Sequence, residues 1–385
     1  MGNPHEDPQL VPKIGTFTRR QVLSHAAKLA LLPAVGPILA ACSSDSNTPV
    51  GASSATGTSS SPEQVSGDLL MSNWKSWMGK DVVSNFEAQF PGTSVDLHAP
   101  LGSSIAARVQ QWRTGGFDLV LADLSNSGQA LAIGLVAEPD FSKIPNIDYV
   151  EQSFRDGFPH GIPTDYGKVG ILYRPDIVGE TIASWADVWR LAEKVPGQVV
   201  FLDVDRDTLG SALKYLGYSV NTTSADELAK AKDALIQIKP HLQAFGGSGQ
   251  LVPGLVTGNI AIAMAYDFDY TVAAKRQANI EWVSPTEGMA AYLEGWIAME
   301  QSENLPLAFA FMDFGLEPQQ YADFVNVTGA AYVESAAEEF IDPDIVNSPA
   351  LAPDPDVLST VEYEDFLGDA TTMWTQAWEE VKASS

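Results

Sequence analysis

The sequence predicts an α/β protein built as two lobes, and three observations carry that prediction. Short β-rich runs alternate with amphipathic stretches of helical period, which calls for parallel sheets covered by helices. About 319 residues follow a Ser/Thr/Gly-rich segment, a length that suits two cores better than one. No repeat at solenoid or propeller spacing interrupts the alternation.

In chain order, Arg19 and Arg20 precede an almost wholly small or apolar run from Ala26 to Ala41, broken by Lys28 and two prolines. This reads as a secretory signal of the twin-arginine type, too short and proline-broken to span a bilayer. It ends in Leu39-Ala40-Ala41-Cys42, which is similar to a bacterial lipobox. Residues 1–41 are therefore expected to be removed and the Cys42 thiol lipidated. Residues 42–66 hold almost no large apolar side chain and form a linker that cannot offset the entropy of ordering.

The body opens with strands at Leu69–Trp74 and Ser94–His98 around a helical stretch, Gly79–Phe90, whose Val82, Val83, Phe86 and Phe90 share one face. Ser103–Trp112 reads as a helix leading into the strand Phe117–Ala122. Gly167–Tyr173 and Val199–Leu202 are strands. Ser184-Trp185-Ala186-Asp187 and Ser224-Ala225-Asp226-Glu227 are capping boxes, each opening a helix, the second running to about Lys239. Ile260–Tyr266, Glu281–Ser284 and Trp296–Glu300 read as strands, and Pro306–Phe314 and Pro318–Val325 as helices.

The charge narrows the partner. There are 22 Lys+Arg against 49 Asp+Glu, a net −27. Without residues 1–41, which carry four bases and two acids, 18 bases face 47 acids and the net becomes −29. A surface this acidic repels phosphate backbones and excludes general nucleic-acid binding, while it favours cations. The single cysteine excludes a disulfide framework and a Cys-cluster metal site, and His98, His160 and His241 are too scattered for a histidine one. No metal and no cofactor is expected.

Motifs of catalysis are missing: no Gly-x-Ser-x-Gly, no Walker loop, no dinucleotide fingerprint and no His-Glu-x-x-His. Gly246-Gly247-Ser248-Gly249 lacks the lysine of a phosphate loop and reads as a plain loop. Asp203 and Asp205 lack the ligand series of a calcium loop. The chain is read as a binding protein rather than an enzyme.

What recurs is an aromatic beside a carboxylate at a strand end. Trp74 and Trp77 follow the first strand. Asp203, Asp205 and Asp207 follow Val199–Leu202; Tyr266, Asp267 and Asp269 follow Ile260–Ala265; Tyr292 and Glu294 precede a strand. In open α/β sheets ligands bind beyond the carboxyl ends of strands. An ammonium group buried there needs a carboxylate, and an aromatic face adds roughly 0.5–2 kcal/mol while covering methylenes. Aromatic walls with spaced carboxylates suit a polyamine.

At these residues the chain, from about Asp68 to Lys382, resembles the spermidine/putrescine-binding proteins of bacterial ABC importers. The matches are Ser184-Trp185-Ala186-Asp187-Val188-Trp189, the run Ala212 to Thr223, Asn73-Trp74, Phe117-Asp118-Leu119-Val120 and Pro285-Thr286-Glu287-Gly288. The resemblance implies a type II periplasmic-binding-protein fold, two lobes with a ligand cleft and hinge between them. It places lobe 1 at 67–170 and 295–343, and lobe 2 at 171–294 and 344–385. It implies an aromatic wall at Trp74 and Trp77, acids within Asp203–Asp207, an aromatic at Tyr266 and a polyamine-gripping acid in Tyr292-Leu293-Glu294, and it sets Glu364 against a family glutamine.

Departures are implied too. Asp123-Leu124-Ser125 stands where the family presents serine and tyrosine, so Asp123 and Ser125 are candidate contacts. Val204 occupies a family aspartate's place, leaving Asp203 or Asp205 to serve. Asp165, Tyr166, Asp267 and Asp269 add acids or change the crossing pattern between lobes. The implied function is a monomeric, exported, lipid-anchored protein that captures a polyamine and delivers it to a membrane permease. Its rivals are another solute on the same fold, thiamine or iron, and a cell-surface enzyme or sensor.

Overall fold

A computed structural model describes residues 65–101, 105–277, 279–351 and 359–384. The signal, Cys42 and the linker up to residue 64 lie outside the described residues. The described residues form eleven strands: β1 (Gly67–Ser72), β2 (Thr93–His98), β3 (Leu119–Asp123), β4 (Ile162–Tyr173), β5 (Val199–Leu202), β6 (Leu242–Gly246), β7 (Ile262–Tyr266), β8 (Glu281–Val283), β9 (Met289–Ala298), β10 (Ala331–Tyr332) and β11 (Val361–Tyr363).

Two sheets share strands. In lobe 1, β2, β1 and β3 run parallel and β9 joins β3 antiparallel. In lobe 2, β6, β5 and β7 run parallel. β4 links them: Ile162 to Lys168 pair with β9, while Val169 to Tyr173 turn to pair with β7. β9 does the same, with Glu294 to Ala298 on β3 and Met289 to Ala291 on β11. Strands carrying the chain between lobes must lie against each other closely. A Cβ at Gly295 on β9 would collide with the Ile162 carbonyl oxygen of β4, so only glycine fits there.

Each lobe has its own core. Leu69, Met71, Trp112, Leu121, Ile297 and Phe311 belong to the first, and Trp185, Phe201, Leu209, Met264, Trp374 and Trp378 to the second. The passages between them fall from Ile162 to Val169 and from Ala290 to Leu293. Ile345 and Leu351 pack in the first core, so the chain returns to lobe 2 after them and not at 344.

Local signals explain the elements. Ser184 Oγ accepts from Asp187 N at 3.0 Å and Ser224 Oγ from Glu227 N at 3.4 Å, closing both predicted caps. Strand Val199–Leu202 matches its prediction residue for residue. β9 does not: it begins at Met289, so Tyr292 and Glu294 lie within it rather than before it. Neighbours on both edges and cover on both faces remove the alternation that would mark such a strand. β6 and the helices Asp205–Tyr215, Ser248–Thr257, Asp267–Ala274 and Thr371–Ala383 emerge only in the structure.

At the crossing, Lys168 of β4 is 1% exposed and its Nζ lies 2.6 Å from Asp267 Oδ2, the carboxylate that opens the Asp267–Ala274 helix. Phe268 N also donates to Asp267, at 2.9 Å. Burial pushes the Asp267 carboxyl up in pKa and Lys168 opposes it. Lys168→Met strands that carboxylate and is expected to cost about 3–5 kcal/mol in urea unfolding. Lys168→Met/Asp267→Asn is expected to recover most of the loss.

Candidate ligand-binding cleft

The fold points the carboxyl ends of β1 and β3 at those of β5, β6 and β7 across the β4–β9 crossing. A cavity of about 720 Å³ lies between them. Trp74 and Trp77 reach it from beyond β1, Asp123 from the end of β3, Asp203, Asp205 and Asp207 from beyond β5, and Tyr266 from the end of β7. Tyr292 and Glu294 rise from β9, Asp269 from the helix after β7, and Glu364 from beyond β11. Every ligand-contact residue predicted from the sequence lines it except Ser125. That hydroxyl is buried and donates to the Asp365 carbonyl at 3.1 Å, tying lobe 1 to the segment after β11.

The residues differ in what they have left to offer. Asp203 sits at the rim, 3.3 Å from Lys382 Nζ. Asp269 accepts from Tyr266 N at 3.0 Å and thereby caps its helix. Asp207 accepts from the Tyr266 hydroxyl at 2.5 Å. Asp165 and Asp267 do not line the cavity: Asp165 is buried beneath it and Asp267 is held by Lys168. Tyr166 stacks on Phe154 with ring centres 5.0 Å apart.

An aromatic chain spans the two lobes. Trp77 of lobe 1 meets Phe268 of lobe 2 at 4.8 Å between ring centres, Phe268 stacks on Tyr266 at 5.1 Å, and Tyr266 meets Tyr292 edge-on at 5.8 Å. Phe268 went unread in the sequence although it stands between two of the predicted acids. Gly246 to Gly249, expected to be a plain loop, runs along the cavity wall, because β6 delivers it there beside the end of β5.

Acidity concentrates at the crossing strands. Glu294 is directly opposite Asp165 of β4 on one side and Asp123 of β3 on the other. Cross-strand partners share a face, so three carboxyls form a row over three adjacent strands. Burial pushes Asp165 up to about 7, with the Thr164 hydroxyl, a donor at 2.9 Å, opposing. Burial, then repulsion from Asp165 and Asp123, drives Glu294 well above the usual carboxylate range. Asp207 is raised to about 7 and Glu364 well above its ordinary value, burial again leading. The Trp77 indole N–H lies beside Asp165 and Glu294 but forms no closed hydrogen bond, so its help is electrostatic.

Three arginines line the cavity that an inventory of acids overlooked: Arg108, Arg206 and Arg276. Arg206 is buried, stacked 4.4 Å over Trp374, and donates to Asn221 Oδ1 at 2.6 Å. The signal was present in Asp203-Val204-Asp205-Arg206-Asp207, where a lone base interrupts the acids. Arg206 Nε also lies 3.8 Å from Glu364 Oε2, so among the described residues of the lining Asp205, Asp207, Asp269 and Glu294 are the acids that form no salt bridge, and aromatic faces beside them can cover a chain. Among the described residues, no cluster of three or more His, Cys, Asp or Glu has the geometry of a metal site. No helix among them is long and apolar enough to cross a membrane.

Residues 81–353 match the family model described as bacterial extracellular solute-binding protein. The chain belongs to that family. The putrescine/cadaverine-binding protein of Pseudomonas aeruginosa is 26% identical to this solute-binding protein over 333 residues, 82% of this chain and 93% of that one. The spermidine/putrescine-binding periplasmic protein of Salmonella typhimurium is 23% identical over 321 residues, 82% and 91% of the two. The structure of the TpPotD lipoprotein of Treponema pallidum superposes with a TM-score of 0.71 at 22% identity, over 82% of this chain and 99% of that one. The fold is the type II periplasmic-binding-protein fold.

A carboxyl whose pKa in the folded state exceeds its unfolded value of about 3.9 binds more protons folded than unfolded between those values, so stability falls as pH rises. For Asp165 that window runs from about 4 to about 7. Asp165→Asn keeps the protonated shape at all pH. It is expected to raise the Tm at pH 7.5 by several degrees, at roughly 2–4 °C per kcal/mol relieved, and to flatten the decline in thermal scans between about pH 4 and pH 7.

Proposed function

We propose that this solute-binding protein captures a polyamine of the putrescine/spermidine class between its lobes and hands it to the permease of an ABC importer. The single observation behind the proposal is the cleft itself. Asp207 and Glu364, both buried, and Glu294, half-buried, are all raised in pKa and face it together with Trp77, Tyr266 and Tyr292 from both lobes. Glu364 has Arg206 Nε 3.8 Å away, whereas Asp207 and Glu294 form no salt bridge among the described residues; a buried acid short of cations holds its proton, and an ammonium group would replace that proton at the carboxylate. The aromatic rings would cover the methylenes between ammonium groups. The names of the relatives from P. aeruginosa and S. typhimurium point to the same ligand class.

Closure follows from differential contact. A dication bridging Asp207 of lobe 2 and Glu294 of the crossing strand binds the closed form better than the open one and shifts the population towards it. The acidic surface speeds encounter with a cation. The reading assigns the chain no reaction of its own, and it takes the chain to be a monomer held at the outer face of the membrane through Cys42, with residues 43–66 as leash. Lipid anchoring restricts its search for the permease to the membrane surface.

Calorimetric titration with putrescine, cadaverine, spermidine, spermine and thiamine tests the ligand class. Binding of an amine is expected, with Glu294→Gln weakening it by ~30-fold or more, since losing one partner of a buried charge pair costs about 2–5 kcal/mol. No heat with any of the four amines would sink the polyamine reading, and binding of thiamine alone would replace it. Because a cation favours the ionised carboxylates, binding releases protons, and affinity is expected to rise from pH 5.5 to pH 8 through the values of about 7.

A further inference from the structure

Arg108 stands apart from the other two arginines of the cavity. Arg206 is pinned by Trp374 and Asn221, and Arg276 is exposed at the rim. Arg108 comes from lobe 1, on the helix Ile105–Gly115, and reaches inward so that its side chain is 18% exposed. Its guanidinium lies 5.2 Å over the Trp74 ring and its NH1 is 3.6 Å from Asp123 Oδ2. At that distance the pairing is Coulombic and not a hydrogen bond, and Arg108 Nε is buried without a partner. Among the described residues the group is held by position and charge, with no closed hydrogen bond fixing it.

An aromatic face beside a carboxylate is what an ammonium group needs, and at the Trp74–Asp123 end of the cavity the protein's own cation occupies it. Burial raises the pKa of Asp205, Asp207 and Glu294, and the charge of Arg108 opposes that rise at each, so it acts on both lobes. What remains for a ligand is the part of the cleft around Glu294, Asp207 and Glu364, walled by Tyr266 and Tyr292.

We propose that Arg108 is a specificity-determining residue: it fills the Trp74–Asp123 end of the cavity in place of a ligand ammonium, so the cleft takes a short diamine and disfavours longer chains. The inference rests on the polyamine reading and goes beyond it by assigning chain length to one side chain. Arg108→Met removes the guanidinium and keeps an apolar stem against Trp74; Arg108→Ser clears the whole position. Either variant is expected to open that end to the second nitrogen of a longer ligand.

Removing a positive charge alone would strengthen binding of every cation, so the test holds ligand charge constant and varies length. The full-length chain, Arg108→Met and Arg108→Ser, each checked by thermal melt, are titrated with putrescine, cadaverine and 1,8-diaminooctane, all dications, and then with spermidine. Expected is a native preference for putrescine, with both variants raising the affinity of 1,8-diaminooctane relative to putrescine by ~10-fold or more, about 1.4 kcal/mol. If all diamines shift together, Arg108 acts by charge alone and the proposal falls. It falls as well if 4-aminobutanoate binds the native chain and is lost in Arg108→Met, which would make Arg108 a receptor for a ligand carboxylate. A native chain that binds none of the amines overturns the polyamine reading itself, an outcome distinct from an unchanged length preference in chains that do bind.

Discussion

Carboxyl groups held out of water without cations govern this molecule. β4 and β9 must cross between the lobes side by side, and they bring Asp165 and Glu294 into register, with Asp123 next in the row on β3. Burial and mutual repulsion oppose ionisation there, so these carboxyls keep protons that an ordinary surface acid would shed near pH 4. The strain of that arrangement lies at the passage between lobes, where a bound cation would relieve it most directly. Binding, closure and proton release are in this way coupled at one place.

Three ways of treating a buried charge stand within a short stretch of the crossing. Asp267 is matched by an internal cation, Lys168, and has become part of the framework. Asp123 faces Arg108 loosely, at 3.6 Å, a contact with room to be exchanged. Glu294, Asp165 and Asp207 form no salt bridge among the described residues, Arg108 reaching Glu294 and Asp207 only through space, and they carry the largest demand for a partner. The gradient from matched to unmatched acids runs from the framework into the cavity. It separates carboxyls that stabilise the fold from those that serve a ligand, a distinction that residue type alone does not draw.

The cleft was legible to the degree that it lies at strand ends. Asp203, Asp205 and Asp207 after β5 and Tyr266 at the end of β7 reach the cavity because parallel strands in each lobe end on the same side. Glu294 was legible as an acid beside an aromatic but misplaced as preceding a strand, since β9 is enclosed by neighbours and loses the alternation that marks a half-exposed strand. Ser125 points away because its helix turns the hydroxyl to the Asp365 carbonyl. Arg108 was unreadable as a cleft residue, for a helix of mixed polarity does not say which of its faces meets the other lobe.

By itself the sequence determined the alternation of strand and helix, the acid excess, the capped helices and the aromatic–carboxylate pairs, since each depends on residues near one another in the chain. The tertiary structure decided which acids are buried, which carry an internal cation and which remain open to a ligand. Asp165 and Glu294 are 129 positions apart, yet register makes them neighbours. Protonation and Coulomb energy depend on distance in space and on the water excluded between groups, and neither is written in the local order of residues.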